Sequence, residues 1–226
     1  MIPAPPERYR APLQRVVIPE ILDALNPDHP DAIASRKDLE RINFMMGNYR
    51  FLKNHLLRNI RPRDRCIEIG SGGGLLCSVL SERKIPHGIT GLDLAPRPDH
   101  WPASWHWQQQ DLFDTSSLAG FDIILASLIL HHFTDEQLRK LAPQLTATAR
   151  VLIFTEPLRS SFSHTLGRLA EIIGIHPVTR HDMHVSIDAG FRRGEIPALL
   201  GLSQKIWHIR EWHDWRGSLR VVASRR

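Results

Sequence analysis

The stretch Arg65-Cys66-Ile67-Glu68-Ile69-Gly70-Ser71-Gly72-Gly73-Gly74-Leu75-Leu76 constrains the fold more than any other part of the chain. A short apolar run holds an acid near its end, crosses a glycine cluster and resumes as Leu75, Leu76, Cys77, Val79 and Leu80, which reads as strand, tight turn and helix. Glycines let the backbone turn sharply and approach a ligand closely, and the helix start behind them offers N–H groups without partners in the helix. The unit is a candidate cofactor pocket, and two cofactor types compete for it. A dinucleotide turn requires G-x-G-x-x-G; Gly70 and Gly72 supply two glycines, but the third place falls on Leu75. The other reading rests on Glu68-x-Gly70-x-Gly72-x-Gly74. A carboxylate at the carboxyl end of the strand can pair with a cationic ligand group, and an ammonium is the obvious candidate.

The 226 residues suit one large domain, or a domain with a small cap. A hydrophobic fraction of 42% and a charged fraction of 23% are ordinary for a globular protein, and no run approaches the roughly 18 apolar residues of a membrane span. The opening Met1-Ile2-Pro3-Ala4-Pro5-Pro6 lacks the apolar core of a signal peptide, so a cytoplasmic location is expected. Cys66 and Cys77 fit that compartment as small core residues. The net charge of +5 points to no nucleic acid, because the basic residues form no aromatic-rich stripe; Arg58, Arg61, Arg63 and Arg65 lead into the first strand at the end opposite the turn.

Residues 1 to 28 are proline-rich and expected to be irregular, apart from an apolar patch around Val16, Val17, Ile18, Ile21 and Leu22 that could wrap the domain. Asp31 is placed to cap a helix through Ala32, Ile33, Leu39, Ile42 and Met45, and Tyr49 to Leu57 form a second helix ending before Pro62. These features divide the chain into an N-terminal segment with a helical lid, residues 1–60, and a main domain, 61–226. His87 to Leu94 reads as the next strand; Asp93, about twenty residues beyond the glycines, can accept both ribose hydroxyls of an adenosine-containing cofactor. Trp105 to Phe113 runs from strand into turn and carries a third acid, Asp111. Phe121 to Ser127 is almost wholly apolar, as a central parallel strand should be. Thr134 is placed to cap the following helix, and Val151 to Pro157 is the fifth strand. Ser163 to Gly174 and Arg193 to Leu202 suggest helices, and two strands, Lys205 to Trp212 and Ser218 to Ala223, meet at Trp215-Arg216-Gly217. The alternation of strands and helices implies a parallel sheet whose right-handed crossovers bring the acids to one edge.

Glu68, the glycine series, Asp93 and Asp111 together resemble the class I S-adenosylmethionine (AdoMet) methyltransferases over residues 61 to 226. The resemblance implies an α/β, Rossmann-like sheet of seven strands in the order 3-2-1-4-5-7-6, with strand 7 antiparallel. It implies AdoMet as cofactor and S-adenosylhomocysteine (SAH) as product. Glu68 would face the methionine end with Gly70, Ser71 and Gly72 around it, and Asp93 with Leu94 would meet the ribose. Asp111 and Leu112 would hold the adenine, and Ser127 would close the pocket at strand four. Met45-Met46-Gly47-Asn48, at the junction of the two N-terminal helices, is a candidate lid contact. Leu128-Ile129-Leu130-His131-His132-Phe133 is similar to small-molecule methyltransferases with a histidine after this strand. The Asn/Asp-Pro-Pro-aromatic pattern of amine and amide methylating members is absent, which turns the reading to oxygen, carbon or sulfur acceptors. The arrangement resembles the quinone-precursor subgroup, and His181 to Gly201 looks like methyltransferases encoded beside type III polyketide synthases, implying a phenolic, pyrone or polyketide-like small-molecule acceptor.

The implied reaction is direct displacement at the sulfonium methyl. A histidine suits proton removal from an acceptor near neutral pH. His132, after strand four, and His181, in the crowded segment Arg180 to Phe191, are the candidate catalytic residues; proximity alone is the alternative. Asp182 is not counted as a partner of His181, because adjacent residues need not share a face. No metal is expected, and the histidines of 181 to 184 read as solvated or hydrogen-bonded. A nicotinamide-dependent oxidoreductase and a catalytically silent AdoMet-binding subunit stay as rivals. The oligomeric state stays open.

Overall fold

The computed structural model describes residues 11–80, 85, 87–114, 118–171 and 174–226. Its strands are β1 (Cys66–Ile69), β2 (Thr90–Asp93), β3 (Trp107–Gln109), β4 (Ile123–Ser127), β5 (Val151–Pro157), β6 (Trp207–His213) and β7 (Ser218–Arg225). They form one sheet in the order β3-β2-β1-β4-β5-β7-β6. β1 to β5 pair in parallel, and β7 inserts antiparallel between β5 and β6. Parallel pairing puts the carboxyl ends of β1, β2, β3 and β4 on one edge.

The helices are α1 (Ile21–Ala24), α2 (Pro30–Met46), α3 (Asn48–Asn59), α4 (Leu75–Leu80), α5 (Asp135–Ala147), α6 (Ser161–Glu171), α7 (Pro177–Ala189) and α8 (Glu195–Leu199). Side chains alternate across a strand, so the apolar runs of β4 and β5 feed both faces of the sheet. Ile123, Leu125, Val151 and Ile153 pack with Leu52 and Leu56 of α3 and Leu76 and Leu80 of α4. Ile124, Ala126, Leu152 and Phe154 pack with Leu138, Leu141 and Leu145 of α5 and with Ile196 of α8. Burying a side chain such as Leu52 contributes roughly 1.5–3 kcal/mol. Cys66 and Cys77 are buried free thiols.

Several local expectations are revised. α2 starts at Pro30, and its cap is His29 rather than Asp31: His29 Nδ1 accepts from the Asp31 N–H at 3.2 Å. Proline at the first helical position carries a preset φ and gives up an N–H that would be unpaired there anyway, which favours the earlier start. The N-terminal segment is not wholly irregular, since α1 forms a single turn. The helix expected over Arg193 to Leu202 shrinks to α8, bracketed by left-handed Gly194 (φ 87) and Gly201 (φ 61). The segment Arg180 to Phe191, crowded with titratable groups, lies mostly within α7. That helix is capped by His176 and opened by Pro177, and Asp182, His184, Val185, Ile187 and Ala189 make its buried face. The cap on α5 is as expected: Thr134 and Gln137 form a reciprocal capping box at 3.2 and 2.8 Å.

Residues 11 to 20 form a strap held by arginines, among them Arg192, which donates to Pro12 O at 3.0 Å. Arg159, buried at the end of β5, donates to the carbonyls of Pro12, Leu13 and Gly190 at 3.2, 3.1 and 2.6 Å and pairs with Glu195. Arg15 donates to Ala189 O at 2.8 Å and Phe133 O at 3.0 Å, pairs with Asp135 at 2.7 Å, and lies over the Phe191 ring at 4.0 Å. A planar guanidinium with five donors suits a junction where several carbonyls converge.

Candidate functional site

The carboxyl edge of the parallel strands gathers the acids the sequence singles out. Glu68, at the end of β1, is 3% exposed. Burial pushes its carboxyl up to about 8; the Ser71 hydroxyl opposes the shift and the charge of Asp93 adds to it. Gly70 (φ 65), Gly72 (φ 49) and Gly74 (φ 71) adopt the left-handed conformation. A Cβ on Gly70 would meet Ile129 Cγ1 at 2.5 Å, whereas one on Gly72 or Gly73 would meet nothing within 4 Å. The turn is therefore closed toward the protein and open outward.

Asp93, the last residue of β2, accepts from the Gly72 N–H at 2.7 Å through Oδ2 and from the Ala95 N–H at 2.9 Å through Oδ1, which ties β2 to the glycine turn. Leu94 beside it is 71% exposed, and Leu112 is buried. Asp111 is exposed two residues beyond β3, and its Oδ1 accepts from the Phe113 N–H at 2.9 Å. Ser127 ends β4 with its hydroxyl 3.2 Å from Thr155 Oγ1, and Leu128 follows at φ 55, a costly conformation for a leucine. Tyr49, in the sequence simply a helix residue, is partly buried in α3. Its phenol pKa is raised by burial and by the charges of Glu68 and Glu40.

These groups fit AdoMet. A buried carboxyl held near 8 gains from a cationic partner, the open glycine turn admits a ligand backbone, and Asp93 presents two oxygens at a strand end.

Beyond Leu128 lies a cavity of about 380 Å³ walled by α2, α6, α7, Pro157 and the turn between β6 and β7. Leu39, Ile42, Met45 and Met46 come from α2, Leu166 and Leu169 from α6, and Met183, Ser186 and Ile187 from α7. Trp215 and Arg216 add an aromatic ring and a cation. Of the other tryptophans, Trp101 packs edge-on against Trp105 and Trp107, and Trp207 is buried in the core. A roomier depression of about 510 Å³ lies by α8 and β6, but it is lined by none of the strand-end acids.

The candidate histidines both connect to the N-terminal segment, and neither is among the residues lining the apolar cavity. His132 ends a 3-10 turn, Leu130–His132, with Nδ1 3.5 Å from Asp23 Oδ2. His181 Nδ1 lies 3.0 Å from Asp182 Oδ1, so the adjacent pair does interact. The Asp182 oxygens also accept from the Ile21 and Leu22 N–H groups at 2.8 and 2.9 Å, capping α1. His184 and His164 are buried and linked through their Nδ1 atoms at 2.8 Å, and His164 Nε2 lies 2.9 Å from Asp188 Oδ1.

Sequence reasoning missed His131. Its Nδ1 is 2.8 Å from Glu156 Oε2, and its Nε2 is 3.5 Å from Glu20 Oε1. Burial lowers its pKa, but the two carboxylates outweigh burial and hold it at about 9. Glu156 also accepts from the N–H groups of Ile129 and Leu130, at 3.1 and 2.9 Å. An acid in the otherwise apolar run Val151 to Pro157 was the available signal. Nothing local marked Glu20.

A family model described as a methyltransferase domain matches residues 28–216. Among curated proteins, none matches the chain. The fold is similar to that of the plantazolicin methyltransferase BpumL in complex with SAH, at 15% identity over 88% of this chain and 92% of that one, with a TM-score of 0.65. BpumL in complex with a triazolic desmethylPZN analog and SAH gives 14%, 87%, 91% and 0.66. The pyocyanin biosynthetic protein PhzM gives 17% identity over 88% of this chain and 60% of that one, with a TM-score of 0.54. Identities this low speak to the fold alone.

Proposed function

The chain belongs to the methyltransferase-domain family, and from that premise we propose that it methylates an oxygen or carbon nucleophile of a small, apolar, phenolic or polyketide-like acceptor. It is an AdoMet-dependent enzyme. The observation that carries the acceptor class is the cavity of about 380 Å³, lined by leucine, isoleucine and methionine, which begins at Leu128, directly after Ser127 at the cofactor edge. Its size suits a compact acceptor, its wall is mostly apolar, and Arg216 adds a cation that suits an ionised oxygen. BpumL, which shares the fold, is seen with desmethylPZN analogs and SAH together.

AdoMet supplies a sulfonium-bound methyl that an acceptor nucleophile displaces in line, leaving SAH. In this reading Glu68, ionised, pairs with the ammonium beside Gly70, Ser71 and Gly72. Asp93 accepts the ribose hydroxyls while keeping the Gly72 N–H, and Leu94 covers that sugar. Asp111 and Leu112 hold the adenine, and Ser127 closes the pocket. Met45 and Met46 of α2, with α7, shut the acceptor away from water, and alignment of nucleophile and methyl does most of the work. His132 and His181 act by holding the N-terminal segment through Asp23 and Asp182. That arrangement assigns proton removal to no histidine and favours acceptors that ionise readily.

The test is calorimetry with AdoMet, then methyl-labelled AdoMet with a panel of phenols and pyrones, read by mass spectrometry. Labelled product and a weakened acceptor KM in Ile42→Trp, with AdoMet affinity unchanged, are expected. AdoMet binding with no product across the panel would point to a silent subunit. Labelled product with an unchanged acceptor KM in that variant would remove the cavity from the reaction.

A further inference from the structure

Behind the cavity wall, where the strap meets the turn after β4, Glu20, His131 and His132 converge from two distant parts of the chain. One donor atom from each lies within 4.8 Å of the others. We propose that these three residues bind a divalent transition-metal ion of the zinc class, fastening the N-terminal strap to the turn that follows β4.

Four observations support the site. His131 Nε2 and Glu20 Oε1 are 3.5 Å apart, close to the roughly 3.4 Å edge of a tetrahedron with metal–donor bonds of about 2.1 Å. The two imidazole rings are neighbours, with centroids 4.3 Å apart and planes tilted by 35°. The outer ring is also built. His131 offers its other nitrogen to Glu156 at 2.8 Å, the carboxylate partner that metal-bound histidines characteristically have, and the Ser186 hydroxyl donates to Glu20 Oε1. Finally, the charges call for a cation. Glu20 and Glu156 are both buried, and a proton on His131 offsets only one of them. The nearby Arg15 is paired with Asp135 and also acts on Glu156 through its charge. A divalent ion with neutral histidines would offset the charges of Glu20 and Glu156 together.

Two imidazoles and one carboxylate suit zinc, cobalt or nickel, whereas magnesium and calcium prefer all-oxygen sets. Three ligands leave a position for water or for Asp23, which stands 3.5 Å from His132 Nδ1. The expectation of no metal weighed the histidines of 181 to 184, which are engaged elsewhere. This set could not be seen in the sequence, because Glu20 joins it only through the path of the strap.

The experiment uses the full-length protein, freed of metal with a chelator and dialysed. Zn²⁺ is titrated by calorimetry, Co²⁺ by visible absorption, and thermal unfolding is followed with and without Zn²⁺. One saturable Zn²⁺ per chain, intense low-symmetry cobalt bands, a raised unfolding midpoint and no response to Mg²⁺ are expected. Glu20→Gln and His132→Gln, each checked for folding by circular dichroism, should each weaken Zn²⁺ at least 10-fold, and His181→Gln should not. His132 is partly exposed, so its variant serves if Glu20→Gln fails to fold. Absence of saturable Zn²⁺ binding, or binding indifferent to His132→Gln, would reduce the cluster to an ion pair. Neither AdoMet nor an acceptor enters these measurements, so their failure leaves the methyl-transfer reading untouched.

Discussion

The carboxyl edge of β1 to β4 and the seam along the N-terminal strap lie on either side of the β4 turn, yet they are built on opposite plans. At the edge, polar groups are placed for a ligand at some cost to the fold: Glu68 is buried well above its ordinary pKa, and Leu128 sits in a left-handed conformation. Along the seam, charges meet partners within the protein: Arg15 pairs with Asp135, Arg159 with Glu195, and His131 stands between two carboxylates, Glu20 and Glu156. The edge is arranged for the cofactor and the seam for holding the N-terminal segment in place. Substitutions should therefore separate into two classes.

The largest effect belongs to the seam. Arg159→Met removes the cation paired with Glu195 and takes the guanidinium donor from the carbonyls of Leu13 and Gly190, while Arg192 still donates to Pro12. Each buried carbonyl left unpaired costs about 1–3 kcal/mol, with a smaller addition from the part-exposed Glu195. Chemical denaturation should show that loss, while AdoMet affinity in the folded fraction should hold. A variant with normal stability would end the claim that the strap is a stabilising element.

Glu68→Gln should act in the opposite sense. The folded carboxyl, at about 8, binds its proton more tightly than the unfolded one at 4.5. The parent's stability therefore falls as pH climbs from 4.5, and the loss is complete above 8. Without AdoMet, the variant should match the parent near pH 4 and exceed it near pH 9 by on the order of 1–4 kcal/mol. Its AdoMet affinity should drop at every pH. Thermal melts across that range decide it, and a variant less stable than the parent at pH 9 would contradict a buried, uncompensated carboxyl.

Asp93→Ala should weaken AdoMet binding at least tenfold by calorimetry, about 1.5–3 kcal/mol for a lost charged acceptor. Asp111→Ala should cost less, because Asp111 is exposed and adenine packing carries part of the affinity. Equal effects would erase the distinction between a ribose and an adenine contact.

The smallest effects are expected at the two histidines. His132→Gln and His181→Gln should keep turnover within a few-fold of the parent at saturating AdoMet over a range of pH. A large loss that rises toward recovery with pH would make one of them a general base and move the seam into the chemistry.

The two regions also differ in how far the sequence discloses them. Glu68, the glycines, Asp93, Asp111 and Ser127 stand at the ends of strands marked by short apolar runs, so strand order and spacing sufficed to place them on one edge. The capping box of Thr134 and Gln137 was half legible for the same reason, since its partners are three residues apart. α7 was not read as a helix. In the sequence its titratable residues mark only a crowded segment, but Asp182 is turned to α1 and His184 to His164, and burying polar groups against specific partners hides the apolar stripe on which periodicity depends.

By itself the sequence determined what is local: the strand-turn-helix unit, the succession of strands and helices, and the acids at strand ends, because backbone preference and hydrophobic period act over a few residues. Only the tertiary structure decided which charges meet. Glu20 reaches His131, Arg15 reaches Asp135, and Arg159 reaches Pro12 across more than a hundred residues each. Such pairings follow from how the strap closes over α7 and the β4 turn. An ion pair carries no periodic signature, and its energy exists only once water has been excluded around it.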